Sequence, residues 1–142
     1  MDDRSRVAFS QILADETGQT AARFLVEAAA FFAEHGVRIE RVLTDNAKAY
    51  TESVVFAETA ADLGIGLKRT RPYRPQTNGK VERFNRTLLD EWAYARLYRS
   101  NTERRRAFRR WLWLYNHRRP HTALDGLTPM AVLVNNVDRQ HT

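Results

Sequence analysis

The chain has 142 residues, 43% of them hydrophobic and 28% charged, which suits one globular domain with its own core and excludes a disordered or low-complexity chain. It has no cysteine, which excludes disulfides and zinc–thiolate sites, and no run comes near the roughly eighteen apolar residues of a membrane span. The net charge of +6 is uneven: residues 1–67 carry 6 basic and 11 acidic side chains, residues 68–119 carry 16 and 4, and residues 120–142 carry 1 and 2.

Arg6–Ala14 has strand character with partial alternation and leads to a turn at Asp15–Gly18. Thr20 can cap a helix over Ala21–His35, where Phe24, Leu25, Ala28, Phe31 and Phe32 recur at helical spacing and Gly36 stops the run. Val37–Thr44 alternates as a strand, Thr51–Leu63 reads as a helix ended by Gly64, and Gly66–Thr70 as a short strand. Strands and helices in alternation predict an α/β fold with parallel pairing. In such sheets ligands collect at strand carboxyl ends, which is where Asp45 falls.

Two longer helices follow a loop broken by Pro72, Pro75 and Gly79, with Gly79 expected to turn left-handed into the first of them. Val81, Phe84, Leu88, Trp92 and Ala95 form one apolar stripe in that helix, with Glu82 in its first turn and off the stripe. Asn101 or Thr102 can cap the second, with Phe108, Trp111, Leu112 and Tyr115 facing inward and arginines over the other faces. Trp92, Trp111 and Trp113 read as packing residues. Pro120 ends this helix before His121, so His117 and His121 do not share a helical face as metal ligands would. The tail after Asn135 is expected to be loose.

The chemistry-bearing residues lie at the joints of this pattern. Asp45 at a strand end and Glu82 on a later helix, in basic surroundings, are the oxygen donors from which a Mg²⁺ or Mn²⁺ site for phosphodiester chemistry is built. Taken singly, Asp45 could instead cap the next helix and Glu82 complement a helix dipole. Arg86, one turn beyond Glu82, can contact phosphate or pair with Glu82 or Asp90. The basic block of residues 68–119 is the footprint of a polyphosphate partner, or else a solvated surface or the docking site of an acidic protein.

The motifs Leu43-Thr-Asp-Asn46, Thr70-Arg-Pro-Tyr-Arg-Pro-Gln-Thr-Asn-Gly-Lys-Val-Glu-Arg-Phe84 and Tyr115-Asn-His-Arg-Arg-Pro-His-Thr-Ala-Leu124, with Thr128-Pro129, resemble the DDE transposases of bacterial insertion sequences. These share the integrase catalytic core of retroviruses. The resemblance runs from about Asp2 to Leu133. It implies a ribonuclease H-like α/β core, a mixed sheet flanked by helices, acting in DNA integration and transposition with Mg²⁺ or Mn²⁺. The second and third acids of that family fall on Asp45 and Glu82, catalytic and metal-binding by resemblance. Thirty-six residues separate them, one more than is common there, and Ala47 stands where the family usually has Gly. Lys80, Arg83, Arg86, Tyr73, Arg74, Arg104, Arg105 and Arg109 are the expected DNA contacts. Leu89 stands where related integrases often place a further basic residue.

By the same resemblance Met1–Arg6 matches the turn between the second and third strands, where Asp2 and Asp3 are not catalytic. The first catalytic Asp lies upstream of that turn. The expectation is therefore a core truncated at its amino terminus over residues 1–134, without its first strand and most of its second, followed by a loose tail at 135–142. Such a core is expected to be inactive alone, unless a second polypeptide supplies the missing strand. The alternative is a non-catalytic nucleic-acid-binding or interaction module. DNA is the expected partner, with no membrane, a cytoplasmic location, and self-association through Arg6–Ala14 as an open edge strand.

Overall fold

The computed structural model describes residues 1–69 and 79–141, with only the backbone described for 139–141. The chain divides into two compact units, one of residues 1–10 with 80–142 and one of residues 11–79.

The second unit holds α1 (Gly18–Glu34), β1 (Arg41–Thr44), α2 (Lys48–Thr51), α3 (Val54–Asp62) and β2 (Gly66–Arg69). The two strands pair in parallel, with Arg41 opposite Gly66 and Thr44 opposite Arg69. The parallel pairing agrees with the alternation of the sequence; β1 is shorter than expected and begins at Arg41 rather than Val37. Ala22 and Leu25 of α1, Phe56 and Ala60 of α3, and Ile65 ahead of β2 form the core. Apolar burial of these residues packs α1 and α3 together with the approach to β2.

Helix α1 is capped by Thr17 rather than Thr20. The Thr20 N–H donates to Thr17 Oγ1 at 3.3 Å, and Asp15 Oδ1 accepts from both the N–H and the hydroxyl of Thr17. The expected helix over Thr51–Leu63 is two: Ser53 breaks it and caps α3, accepting the Phe56 N–H at 3.1 Å. Gly36 and Gly64 take positive φ at the two helix stops.

The first unit holds α4 (Gly79–Leu88) from Lys80 onward, a π-helical turn (Leu89–Ala93), α5 (Asn101–His117), a 3₁₀ turn (Thr122–Leu124) and α6 (Pro129–His141). Gly79 opens α4 as its first residue and is not among the glycines with positive φ, which corrects the left-handed turn expected there. The Tyr94 N–H donates to the Leu89 carbonyl five residues back. Phe84 and Trp92 are buried, whereas Ala95, expected on the same stripe, lies beyond the end of the helix at Ala93 and is exposed. Ser100 caps α5 through Glu103 N–H at 3.1 Å, one residue before the expected cap.

Phe84, Trp111 and Tyr115 meet at ring-centroid distances of 5.0 to 5.7 Å, and Trp92 meets Phe108 edge-on at 4.9 Å. Trp113 does not join them. It is half exposed on the outer side of α5, against the expectation that all three tryptophans pack.

Residues 6–14 form no strand among the described residues. Residues 2–7 instead make a tight turn: the Arg6 N–H donates to the Asp2 carbonyl at 2.8 Å, the Asp2 N–H donates to the Val7 carbonyl at 2.9 Å, and Arg6 has φ 66°. Asp2 Oδ2 accepts from the N–H and the hydroxyl of Ser5, which gives it the structural turn role expected for it. Helix α6 runs to His141, so residues 135–141 are helical rather than a loose tail. Its apolar side, with Met130 and Leu133 buried, docks it against its own unit.

Candidate functional site

Asp45 lies directly after Thr44, the last residue of β1, at the carboxyl end of the parallel pair. It is exposed, and its Oδ1 accepts the Ala47 N–H at 2.9 Å. This is an Asx turn ahead of α2, whose own cap position is Ala47 and has no side-chain cap. The turn holds the carboxylate with one oxygen engaged by backbone. Glu82 is exposed in the first turn of α4 and forms no ion pair among the described residues. Its position favours an anion, because the unsatisfied N–H groups of a helix start carry partial positive charge.

Asp45 belongs to the second unit and Glu82 to the first. Among the described residues no three Asp, Glu, His or Cys side chains gather closely enough to hold a metal ion. Both acids are hard oxygen donors of the kind Mg²⁺ and Mn²⁺ take, but the described residues alone do not form a complete ligand set.

The basic residues divide by what already engages them. Lys80 Nζ reaches Asp3 Oδ1 at 2.8 Å and the Asp3 carbonyl at 2.9 Å. Arg104 lies with its guanidinium carbon 4.9 Å from the Trp92 ring centre, and its carbonyl accepts the Trp92 indole N–H at 3.0 Å. Arg104 is therefore partly a packing residue. Arg83, Arg86, Arg105 and Arg109 are exposed and form no ion pair among the described residues; Arg86 pairs with neither Glu82 nor Asp90. Tyr73 and Arg74 lie outside the described residues.

Around Tyr115 the structure gathers a group that the motifs alone do not reveal. Arg119 donates to both carboxylate oxygens of Glu91, at 2.5 and 2.6 Å, and stands 5.9 Å from the Tyr115 ring centre. His121 packs edge-on against Tyr115 at 5.1 Å, with its Nε2 buried and without a hydrogen-bond partner among the described residues. Burial, then the cations of Arg119, Arg6 and Arg83, hold the His121 imidazole below its ordinary pKa. Burial pushes the Tyr115 phenol up. The signal was present as the run Arg118-Arg119-Pro120-His121, in which Pro120 turns the chain back onto the face of α5 that carries Tyr115.

Two family models, both described as integrase core domain, match residues 1–75 and 63–129. The chain belongs to the integrase core family. The putative transposase for insertion sequence element IS5376 of Geobacillus stearothermophilus is 35% identical over 99 residues, covering 63% of this chain and 24% of that protein. The retrovirus-related Pol polyprotein from transposon TNT 1-94 of Nicotiana tabacum is 37% identical over 95 residues, covering 64% of this chain and 7% of that protein. This integrase core thus spans about a quarter or less of the curated relatives it matches.

Among solved structures, the catalytic core domain of BIV integrase superposes with a TM-score of 0.71 at 21% identity, covering 97% of this chain and 84% of that one. A chain of the simian T-cell lymphotropic virus intasome, solved in complex with PP2A regulatory subunit B56 gamma, gives 0.72 at 28% identity, covering 91% of this chain and 44% of that one. The fold of this integrase core is therefore the ribonuclease H-like α/β fold, and its class is that of the DDE transposases and integrases. Among the described residues no helix is long and apolar enough to cross a membrane.

Proposed function

We propose that the chain takes part in DNA transposition of the insertion-sequence kind, and that by itself it binds DNA without joining strands. The observation that carries DNA as partner is the row of exposed arginines on α5. Arg105, Arg106, Arg109 and Arg110 have no ion-pair partner among the described residues, and no Asp or Glu occurs between Arg104 and Arg119. Cations left unpaired on one helix release counterions from a phosphate backbone when they bind it. Family membership supplies the reaction class: hydrolysis of a phosphodiester, then attack of the freed 3′-hydroxyl on a second strand, with Asp45 and Glu82 as two of the acids. A cytoplasmic location goes with this reading.

The reading that the chain alone does not join strands rests on the motifs, which place two of the family's acids, Asp45 and Glu82, on this sequence, while the in-line reaction draws on two metal ions and a fuller set of carboxylates. The test is a strand-transfer assay with Mg²⁺ or Mn²⁺ beside a duplex-binding measurement across a salt series. Steeply salt-dependent binding without joining is expected, and Glu82→Gln should leave the binding as it was. Metal-dependent joining that Glu82→Gln abolishes would show a complete enzyme instead. Binding indifferent to salt would point away from DNA to a protein partner.

A further inference from the structure

Three separate parts of the first unit meet around the buried ring of Tyr115. Phe84 of α4 packs edge-on against it at 5.0 Å between ring centres, and His121, beyond the end of α5, does the same at 5.1 Å. The third part is the amino-terminal turn, which is fixed on two sides. Ala8 is bonded to Asn116, the residue after Tyr115, and Asp3 accepts from Lys80 Nζ at 2.8 Å. Lys80 and Arg83 are three residues apart on α4 and so share one side of it. Arg6 belongs to the same turn as Asp3. Arg6 and Arg83 are thereby carried to the neighbourhood of His121. Their charges, after burial and the charge of Arg119, hold its imidazole below the ordinary pKa.

A histidine packed on an aromatic ring is by itself ordinary. Its surroundings here are not. The acids nearby are already engaged: Asp2 by the N–H and hydroxyl of Ser5, Asp3 by Lys80, and Glu91 by Arg119. Arg6 and Arg83 form no ion pair among the described residues. The His121 Nε2 is buried without a hydrogen-bond partner among the described residues. Cations gathered about such an atom repel one another, and an anion among them removes that repulsion. Two guanidinium groups and an imidazole N–H offer several donors at once, which suits an acceptor with several oxygens. A tetrahedral phosphate group has them, whereas a carboxylate is satisfied by one guanidinium fork.

We propose that Arg6, Arg83 and His121 form a binding site for a phosphate group, either a free ion or part of a DNA backbone. The two guanidinium groups take its oxygens, and the imidazole, once protonated, adds a third donor and a third charge. The site goes beyond the DNA-binding reading above and stands without the arginine row of α5. The charged and titratable groups facing the ring are Arg6, Arg83, Arg119 with its partner Glu91, and the Tyr115 phenol. A bound anion offsets the cations among them and so favours the imidazolium. By linkage, the anion binds more tightly as pH falls.

The experiment follows the imidazole signals of the full chain by NMR from pH 7.5 to pH 5, in chloride, formate and sulfate at equal ionic strength. Sulfate stands in for phosphate because it stays doubly charged over this range. His121 is expected to titrate at least about half a pH unit higher in sulfate than in chloride, since a nearby opposite charge favours the charged form. The three other histidines should move much less. Sulfate affinity should rise by up to about three-fold over the same range, the same half unit seen from the anion's side. Arg83→Gln, on the exposed side of α4, should remove most of the sulfate shift, and Arg83→Lys should restore part of it. A His121 shift in sulfate no larger than in chloride or formate overturns the proposal, and so does a shift that survives Arg83→Gln. A short duplex at low salt then assigns the source: a His121 shift with duplex makes the ligand a backbone phosphate, and a shift with sulfate alone makes it a free anion. Failure to bind duplex at all strikes the general DNA reading and is scored separately from the sulfate response.

Discussion

The side-chain amide of Asn116 bonds both backbone groups of Ala8: the Ala8 N–H donates to Oδ1 at 2.9 Å, and Nδ2 donates to the Ala8 carbonyl at 2.8 Å. Both residues are buried, at 4% and 1% exposure. Asn116 thus does for Ala8 what a neighbouring strand would do, and it joins the segment before α1 to α5, 108 residues along the chain. Asn116→Ala leaves two buried backbone groups unpaired, each worth about 1–3 kcal/mol of desolvation. A loss of about 2–4 kcal/mol in denaturant unfolding is expected. A loss within about 0.5 kcal/mol, the range of ordinary surface substitutions, would mean that water replaces the amide.

His121 gives the unit a pH dependence of definite sign. Its folded pKa lies below the ordinary 6.5, so on acidification the unfolded chain takes the proton first. The contribution to stability is fully present above about pH 6.5 and is lost as pH falls through the folded value. The cations facing the ring, Arg119, Arg6 and Arg83, all act in the same direction as burial. His121→Phe keeps a ring against Tyr115 and removes the titration. Unfolding measured from pH 7.5 to pH 5 should therefore fall less steeply in the variant than in wild type. Parallel profiles would show that some other group carries the acid sensitivity.

Gly18 and Ser53 are locked together in the second unit. A Cβ on Gly18 would meet Ser53 Oγ at 2.1 Å and Ser53 Cβ at 2.4 Å. Ser53 cannot simply turn away, because its hydroxyl caps α3 through the Phe56 N–H. Gly18→Ala should therefore destabilise by about 2 kcal/mol, from overpacking together with a broken cap, although alanine is the better helix former. In a Ser53→Gly background the same change should cost much less. Additive effects in that double-mutant cycle would show that the clash relaxes by another route.

Local periodicity carries the order of strands and helices, the parallel pairing and the buried positions Leu25, Phe84 and Phe108, and the structure shows them. The helix starts slipped by a residue or more because several hydroxyl residues stand near each start, and only the geometry decides which of them accepts. Thr17 prevailed over Thr20, and Ser100 over Asn101, the latter in a Ser-x-x-Glu pattern that could have been read. The strand expected at Arg6–Ala14 failed because the partner of Ala8 is a side chain more than a hundred residues away, which no local pattern shows. The π-helical turn after Leu88 leaves no trace in hydrophobic spacing up to Trp92, since it displaces only the residues beyond that point. Asp45 was placed at a strand end by pattern and Glu82 in a first turn by motif. Trp113 departs from the packing expected of it because helical spacing cannot tell which side of a helix meets the core when both sides carry aromatics.

The expected DNA-contacting arginines of α5 should separate into two kinds. Arg104 lies against Trp92 and its carbonyl accepts the indole N–H, whereas Arg105 and Arg109 are exposed and unpaired among the described residues. Arg104→Ala removes a cation–π contact worth about 0.5–1 kcal/mol at an exposed site, together with the aliphatic stem that covers the ring. A fall in Tm of a few degrees is therefore expected from that single change, with little change in the salt slope of duplex binding. Arg105→Ala with Arg109→Ala should do the reverse, leaving Tm within about a degree and reducing the slope by up to about 1.8 if each arginine neutralises one phosphate. Differential scanning calorimetry and a salt titration of duplex affinity on the same three proteins read both quantities. If Arg104→Ala lowers the slope as much as either exposed arginine does, then the guanidinium leaves Trp92 on binding, and its packing role gives way to a phosphate contact.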